Sequence, residues 1–351
     1  MSQGSRAHPI CAYIPFVNTI QGLVRPLTHE RRFIEMQIRL FGDGKKRGLR
    51  ISIFITVILI LICPVLIILA ETAAGNPATG GNPPAGTNPP PANGTAIVYK
   101  SLPVASDDVY TKGSLLIVNT TTPVVHYPAD STLVAFGKPA SYSTTSPQMR
   151  LNSEAMTAFN TMLNTYHAST GDSSVHINSA YRTEAEQAAM TSSSVKAGFS
   201  DHHLALSVAL RGNTASGYVA LAKDHWVYQN CHTYGFVLRY PAGKEEITGI
   251  SDYENCIRYV GIPHAIYMKE HNLCLEEYVA LLKNYPYEGT HLQITANGAL
   301  YEVYYIPASD LGTENAVTTL PIPHDSATDK PCEYTYSGNN TDGFIVTARI
   351  G

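Results

Sequence analysis

An uncharged apolar run near the N-terminus constrains this chain more than any other feature of its sequence. Residues 51–70 read ISIFITVILILICPVLIILA, hold no charged side chain and follow KKRGLR, which carries four basic groups. A helix of about 20 residues rises about 30 Å, the thickness of the hydrocarbon core of a bilayer. Because a flanking basic cluster stays cytoplasmic, the run predicts a single-pass transmembrane helix. Residues 1–50 are then expected in the cytoplasm, and everything after the helix outside it.

The alternative for this run is a cleaved signal peptide, because small residues follow it at Ala70, Ala73 and Ala74. The apolar part of a cleaved signal covers about 7 to 15 residues, which is shorter than the run found here. An uncleaved anchor is therefore the interpretation that we prefer. Residues 71–97 consist largely of Gly, Pro, Asn, Ala and Thr, and they predict an extended linker because this composition cannot form a core.

Mixed helix and strand patterns follow the linker and indicate an α+β globular region over residues 98–290. Apolar residues recur at helical spacing between Asn152 and Gly171, which predicts a helix with a polar N-cap and a glycine stop. Short alternating runs over residues 291–351 predict a small β module. Further expected elements are a strand over 175–182, a helix over 184–190, a strand over 200–210 that two adjacent histidines open, a helix leading into a strand over 225–241, and a strand with one or two helices over 257–286.

The overall charge argues against nucleic acid as a partner. The formal net charge is −4 over 351 residues. A chain with this balance has no general excess of basic groups for an anionic polymer. The composition instead indicates a membrane as partner, through residues 51–70.

The six cysteines fall into different predicted compartments. One is expected in the cytoplasm and one in the membrane, Cys11 and Cys63. The remaining four lie in the exported region, where disulfides form: Cys231, Cys256, Cys274 and Cys332. Four cysteines permit three full pairings, among which the sequence does not choose. A free, buried Cys256 is the alternative.

Several motifs follow one another in order along residues 98–290. They are SAYRTEAEQ, GFSDHHLALSVAL, a tryptophan followed by YGFVLRYPAGKEEITGI, RYVGIPHA and NLCLEEY. In this order they resemble the VanY-type zinc D-alanyl-D-alanine carboxypeptidases, which trim the D-Ala-D-Ala end of peptidoglycan stem peptides. The resemblance implies that family's core, an antiparallel sheet with helices, ahead of the C-terminal β module. A membrane anchor and a proline-rich linker also suit a bacterial cell-wall protein.

The family pattern describes a zinc site from which this sequence departs. In the family, zinc is held by the His of S-x-H, by an Asp after six further residues, and by the His of E-x-x-H, whose Glu is the general base. Three protein ligands leave a fourth position for a water whose pKa falls to about 7. Here His202 matches the first ligand, but Ala209 stands at the Asp position. An ungapped comparison places Tyr253 at the base and Cys256 at the second His.

These replacements predict a degraded metal site. Ala209 offers no donor atom, and Tyr253 does not replace a carboxylate base. Loss of a positioned general base typically costs about 10²- to 10⁴-fold in rate. His202 and Cys256 alone are two ligands, below the three usual for a catalytic zinc. We therefore expect no cofactor and little catalysis.

Some residues nearby leave an alternative open. A one-residue shift of the loop would bring Glu254 to the base position, although a single step along a strand reverses the side-chain direction. Asp201 or His203 would have to supply a third ligand beside His202 and Cys256. A zinc ion held in this way is the alternative to an empty site.

The substrate-binding part of the pattern is retained. Arg182 matches the arginine of S-x-Y-R, whose guanidinium lies beside the substrate in the family and pairs with a carboxylate or an oxyanion. A planar fork of donors suits both. Ser179 and Gln187 accompany it in the motif as parts of the pocket wall. The alternative for Arg182 is a structural salt bridge.

Two functions follow from these expectations. The first is a membrane-anchored pseudoenzyme that binds peptidoglycan stem peptides or other D-Ala-terminated peptides. The second is an active metallo-carboxypeptidase that hydrolyses D-Ala-D-Ala ends with a rearranged site. The replacements at the ligand and base positions favour the first.

Overall fold

The computed structural model describes residues 96–351 apart from 192, 194 and 252–254. The predicted cytoplasmic segment 1–50, the transmembrane helix 51–70 and nearly all of the linker 71–97 therefore lie outside the described residues. Within the part that is described, no helix is long and apolar enough to cross a membrane. The anchor thus stays a prediction from the sequence.

Strands and helices alternate in the first part of this region, and strands alone follow in the second. In chain order the strands are β1 (Ile97–Ala105), β2 (Leu133–Ala135), β3 (Ser143–Thr144), β4 (Arg150–Asn152), β5 (Val175–Ser179), β6 (Ser207–Thr214), β7 (Gly217–Val219), β8 (Phe236–Leu238), β9 (Cys256–Tyr259), β10 (Leu292–Ala296), β11 (Ala299–Pro307), β12 (Val317–Asp325), β13 (Tyr334–Gly338) and β14 (Gly343–Arg349). The α-helices are α1 (Ser153–Thr170), α2 (Glu184–Ala188), α3 (Trp226–Asn230), α4 (Glu245–Thr248), α5 (Ile262–Glu270) and α6 (Leu275–Leu282).

The largest sheet has the strand order β3-β5-β6-β9-β8, and β7 pairs with the end of β6. Its neighbouring strands are antiparallel except for β3 and β5, which run parallel. The sheet is therefore mixed, and the expectation of an antiparallel sheet is wrong at this edge. A parallel pair needs a long crossover, and the connection from β3 to β5 contains helix α1.

Helix α1 forms where the sequence predicts it. The side-chain oxygen of Asn152 accepts hydrogen bonds from the backbone N–H groups of Glu154 and Ala155 at 3.0 and 3.3 Å. Gly171 ends the helix in the left-handed region with φ 72°, which glycine adopts without strain. Both the polar N-cap and the glycine stop are therefore confirmed.

The two faces of the large sheet differ in character, because successive side chains of a strand point to opposite sides. One face carries residues such as Val208 and Ile257, which belong to the apolar core together with α1. The other face carries Ser207 and Arg258, which are fully buried and paired in the strand register. The site described below lies on this polar face.

The segment around the two histidines differs from the expected strand. Asp201–Leu204 forms a 3-10 helix, and the strand begins only at Ser207. Ala205 between them has φ 57°, a left-handed conformation that turns the chain. The expectation of a strand from the histidines onward is therefore wrong, and His202 lies on a turn packed against the sheet.

The predicted β module is a four-stranded antiparallel sheet of order β10-β11-β14-β13. A separate two-stranded sheet joins β1 to β12 along nine residue pairs, from Ile97↔Asp325 to Ala105↔Val317. Strand β12 is absent from the sequence expectations because Pro321 and Pro323 interrupt its pattern. Proline is confined to edge strands, and β12 has only β1 as its hydrogen-bonded neighbour among the described strands.

Candidate functional site

A buried ion network anchors the turn 201–204 to the sheet. The Oδ1 atom of Asp201 accepts hydrogen bonds from Arg239 Nε at 3.1 Å and from Arg258 Nη1 at 2.5 Å. The hydroxyl of Ser207 donates to its other oxygen, and Arg239 also forms a bidentate pair with Glu276. Burial raises the pKa of Asp201, but Arg258 and Arg239 outweigh it and lower the pKa. Both oxygens of Asp201 are thus engaged in hydrogen bonds, and the carboxylate belongs to the buried ion network.

His203 is equally engaged. Its Nδ1 lies 2.7 Å from the carbonyl oxygen of Arg182. Its Nε2 accepts a hydrogen bond from the backbone N–H of Gly198 at 3.1 Å. Of the two residues considered as a third ligand, His203 therefore has no spare donor atom, and Asp201 is held in its ion network.

His202 is in the opposite situation. Its side chain is 5% exposed, and neither ring nitrogen has a hydrogen-bond partner among the described residues. Burial, followed by the positive charge of Arg182, lowers the pKa of His202 to about 3. The imidazole is therefore neutral, and although the backbone of Ala180 favours its protonated form, neither nitrogen has a well-formed hydrogen bond to the described residues.

Three neighbouring strands form a single row at the predicted zinc position. Ala209 of β6 is paired with Ser179 of β5 on one side and with Cys256 of β9 on the other. Ala209 and Cys256 are 0% and 1% exposed. Burial and the negative charge of Asp201 raise the pKa of Cys256 to about 12, so the thiol stays protonated.

The residues present do not fit a catalytic zinc ion. A catalytic zinc needs three protein ligands, whereas this row offers a methyl group at Ala209 and a single thiol at Cys256. Across the described part of the chain, no group of three or more His, Cys, Asp or Glu side chains is placed to hold a metal. Tyr253 and Glu254, the residues considered for the base, lie outside the described residues.

Arg182 lies in the bend between β5 and α2, where neutral acceptors hold its guanidinium. Nη2 donates to the hydroxyl of Ser179 at 2.6 Å, and Nη1 donates to Gln187 Oε1 at 2.5 Å. The structure thus brings together the three residues predicted from the SAYRTEAEQ motif. No carboxylate of the described residues lies within 4.0 Å of this guanidinium. Among the described residues Arg182 therefore forms no salt bridge, and the acids at 252 and 254 lie outside them.

The amide of Gln187 is oriented by its own contacts. Its Nε2 donates to the Val195 carbonyl at 2.8 Å and to the Ser193 hydroxyl at 3.0 Å. The amide oxygen Oε1 therefore faces Arg182 and accepts a hydrogen bond from its guanidinium. The sulfur of Met190 also lies 3.0 Å from Arg182 Nη1. Sequence reasoning missed Met190 because no motif marks it.

Comparisons with known proteins show which family this chain belongs to. The VanY family model, described as D-alanyl-D-alanine carboxypeptidase, matches residues 148–262. A D-alanyl-D-alanine carboxypeptidase of Enterococcus faecium is 33% identical over 268 residues, which cover 74% of this chain and 82% of that protein. The chain belongs to the D-alanyl-D-alanine carboxypeptidase family.

Other members of the carboxypeptidase family extend the similarity. The bifunctional D-Ala-D-Ala dipeptidase and carboxypeptidase VanXYC of Enterococcus gallinarum is 35% identical over 119 residues, covering 28% of this chain and 62% of that protein. A crystal structure of the vancomycin resistance D,D-dipeptidase VanXYg, in complex with a D-Ala-D-Ala phosphinate analog, has 26% identity and a TM-score of 0.60. The structural match covers 72% of this chain and 99% of the VanXYg chain.

The cysteines of this carboxypeptidase-family chain are unpaired where they are described. Of the four described cysteines, three are buried and one is partly exposed, and none forms a disulfide: Cys231, Cys256, Cys274 and Cys332. No disulfide among them therefore stabilises the described region. The thiol of Cys256 is free, as the alternative in the sequence analysis has it.

Proposed function

We propose that this member of the carboxypeptidase family binds D-Ala-terminated peptides of peptidoglycan without hydrolysing them. The observation that carries the proposal is the row Ser179–Ala209–Cys256 across three adjacent strands. Ser179 at one end of the row accepts a hydrogen bond from the retained Arg182, whereas Ala209 and Cys256 supply only the Cys256 sulfur where zinc needs two further donor atoms beside His202. The site therefore keeps a residue suited to binding the peptide but lacks the ligands needed to hydrolyse it.

The binding half of the proposal depends on the charge of Arg182. A guanidinium presents a planar fork of donors that matches a carboxylate. Two neutral side chains, Ser179 and Gln187, orient this fork without neutralising it. A half-buried cation of this kind is suited to an anionic ligand, and the free C-terminus of a peptide is the anion that the family's substrates provide.

The non-hydrolytic half depends on the ligand and base positions. Attack on a peptide bond by a zinc-bound water needs three protein ligands and a base that takes its proton. His202 is the one side chain of the predicted ligand set that has an available ring nitrogen. Without the metal, the reaction loses several kcal/mol of stabilisation of its transition state.

The place of this binding is proposed to be the outer face of the cell membrane. Residues 51–70 supply the expected anchor, and residues 71–97 a linker of low core-forming tendency. Such a linker lets a folded region reach substrates at a distance from the bilayer. The predicted orientation, with the basic cluster inside, places residues 98–351 outside.

The test compares binding with turnover in one preparation. The full-length protein in detergent micelles is titrated calorimetrically with a peptide that ends in D-Ala-D-Ala, and released D-alanine is measured with and without a zinc chelator. We expect measurable binding and no release. Chelator-sensitive release of D-alanine would show that the site is active, and absence of binding would remove the proposed ligand.

A further inference from the structure

We infer that His203 and Tyr127 are positioning residues that hold Arg182 for carboxylate recognition. The inference rests on the proposed function, because it concerns how the same arginine is held. Neither residue belongs to the motif that predicts the arginine site. Both are connected to Arg182 by contacts made through its backbone and through helix α2.

The turn 201–204 binds both backbone polar groups of Arg182. The N–H of Arg182 donates to the carbonyl of His202 at 3.3 Å. The carbonyl of Arg182 lies 2.7 Å from His203 Nδ1. Because the ion network of Asp201 fixes this turn on the sheet, Arg182 is tied to the sheet through two hydrogen bonds. Its Cα therefore has a defined position even though it lies in a bend.

The contacts of His203 select one tautomer. The backbone N–H of Gly198 is a donor, so the Nε2 that faces it at 3.1 Å must be an acceptor. Nδ1 then carries the proton and donates it to the Arg182 carbonyl. The side chain is fully buried, so water does not compete for either bond. This gives His203 a function that an apolar ring of the same size cannot perform.

Tyr127 is connected to Arg182 indirectly, through His203 and helix α2. Its ring packs edge-on against His203, with centroids 5.4 Å apart and an interplanar angle of 71°. Its hydroxyl donates to Glu184 Oε2 at 2.8 Å. Glu184 is the first residue of α2, and this helix carries Gln187, which accepts from the Arg182 guanidinium. Tyr127 therefore links the residue that holds the backbone to the helix that holds the side chain.

The segment that carries Tyr127 is itself attached to the same loop. The N–H of Val124 donates to the carbonyl of Gly198 at 2.8 Å. Gly198 thus bonds to Val124 with its carbonyl and to His203 with its N–H. These contacts restrain both the backbone and the side chain of Arg182, and a site for one planar anion requires such a fixed geometry.

The experiment measures carboxylate discrimination, defined as the ratio of dissociation constants for a D-Ala-D-Ala peptide carboxamide and its free acid. Full-length protein carrying His203→Phe, His203→Asn or Tyr127→Phe is compared with the unaltered protein. His203→Phe removes both bonds and should lower the ratio about tenfold, and Tyr127→Phe about fivefold. His203→Asn retains an N–H near the position of Nδ1 and should rescue most of the ratio.

His264→Phe is the matched control. His264 is also a buried imidazole with both nitrogens engaged, by the Tyr278 hydroxyl at 2.8 Å and the Thr347 hydroxyl at 3.1 Å. Its replacement should lower the melting temperature and leave the ratio unchanged, because it has no contact with Arg182. A purely structural role of His203 would give the same pattern as His264.

The outcomes separate the two proposals. If the unaltered protein discriminates and the variants of His203 and Tyr127 discriminate equally well, the positioning inference is wrong and the proposed function stands. If the unaltered protein shows no discrimination, both are wrong. Should His203→Phe fail to fold, the partly exposed Tyr127→Phe and the conservative His203→Asn decide, and an unchanged ratio in Tyr127→Phe overturns the inference.

Discussion

At the scale of single residues, two adjacent histidines have opposite environments. His203 uses both ring nitrogens, whereas His202 is buried with neither of them paired. A buried polar group without a partner costs about 1 to 3 kcal/mol. In the family pattern that cost is offset by a metal, but the row beside His202 lacks the other ligands. Among the described residues the imidazole thus lacks a compensating partner, which predicts that it destabilises the fold.

Replacing His202 by leucine should stabilise the protein by about 1 to 3 kcal/mol at neutral pH. The pKa of His202 is about 3 in the folded protein and 6.5 for an ordinary histidine. The unfolded chain binds the proton more readily, so the unaltered protein loses stability as pH falls from about 6.5 toward 3. The gain from His202→Leu should grow over this range. Urea unfolding at several pH values measures it.

A loss of stability in His202→Leu would indicate that the imidazole has a partner, such as a metal, in the native protein. His264→Leu supplies the comparison, because both of its nitrogens are paired. That substitution leaves the buried Tyr278 hydroxyl without its partner and should destabilise the protein. The two histidines should therefore respond with opposite signs.

Arg182→Ala should weaken binding of peptides that end in a free D-Ala carboxylate. Loss of a charge-assisted hydrogen bond costs about 1.5 to 3 kcal/mol. Arg182→Lys keeps the charge but not the planar fork, and it should retain part of the affinity. Calorimetric titration measures all three proteins. Equal affinity of the unaltered protein and Arg182→Ala would exclude the arginine as the anion site.

At the scale of elements, register determines which residues meet. Directly opposed residues on antiparallel strands have Cβ atoms about 4.5 to 5.5 Å apart. Ala209 of β6 and Cys256 of β9 are opposed in this way. Two longer side chains at these positions would reach a common metal, since zinc ligands lie about 2 Å from the ion. The sheet therefore retains the spacing of a metal site but lacks the Asp and His ligands of the family pattern.

Rebuilding the ligand set should restore zinc binding. In the triple variant Ala209→Asp, Tyr253→Glu, Cys256→His, the family's ligands and base are present together with His202. We expect stoichiometric zinc and slow release of D-alanine, with supporting contacts of the ligands costing about 10- to 100-fold where they have changed. Metal analysis and a D-alanine assay measure both quantities.

Single changes are the controls, because none of them completes the ligand set and the base. Ala209→Asp alone should release no D-alanine, because Tyr253 still stands at the base position, and it should be destabilised by its buried carboxylate. If the triple variant binds no zinc, the ungapped comparison across residues 251–258 must be abandoned. Zinc binding without release would instead place the fault in the base position.

At the scale of the whole molecule, the first described strand belongs with the last part of the chain. Strand β1 pairs with β12 over nine residues, although more than 200 residues separate them. Leu320 and Ile322 of β12 are buried in a cluster with residues of β11 and β14. The two-stranded sheet thus packs against the β module, and the first described strand is held there.

Deleting residues 97–105 from the full-length protein should lower the urea midpoint of unfolding and expose β12 to proteases. The reason is that β12 loses its hydrogen-bonded neighbour and leaves an unpaired edge. Deleting nine residues of the linker, 80–88, is the control of equal length and should leave the midpoint unchanged. Equal midpoints for both deletions would mean that the β1–β12 pairing adds no stability.

Protease treatment of intact cells tests the predicted anchor. If residues 51–70 span the membrane with the basic cluster inside, residues 98–351 are accessible from outside. A C-terminal epitope should then be lost while an N-terminal one survives. Protection of the C-terminal epitope would contradict the orientation, and release of the whole chain from washed membranes would contradict the anchor.

The sequence by itself determined the family and the local elements that carry strong signals. Helix α1 was predictable because its N-cap at Asn152 and its stop at Gly171 are local interactions. The cluster of Arg182 with Ser179 and Gln187 was predictable because one short motif contains all three residues. The replacement of the Asp ligand by Ala209 was also predictable, because identifying it requires only a comparison of position 209 with the family pattern.

The tertiary structure decided what depends on contacts between distant parts of the chain. The turn at 201–204 forms in place of a strand where Asp201 binds arginines from β9 and from the end of β8. The pairing of β12 overrides its two prolines because β1 offers a partner and β12 is an edge. The engagement of Asp201 and His203, which leaves His202 alone, follows from packing that no local pattern encodes.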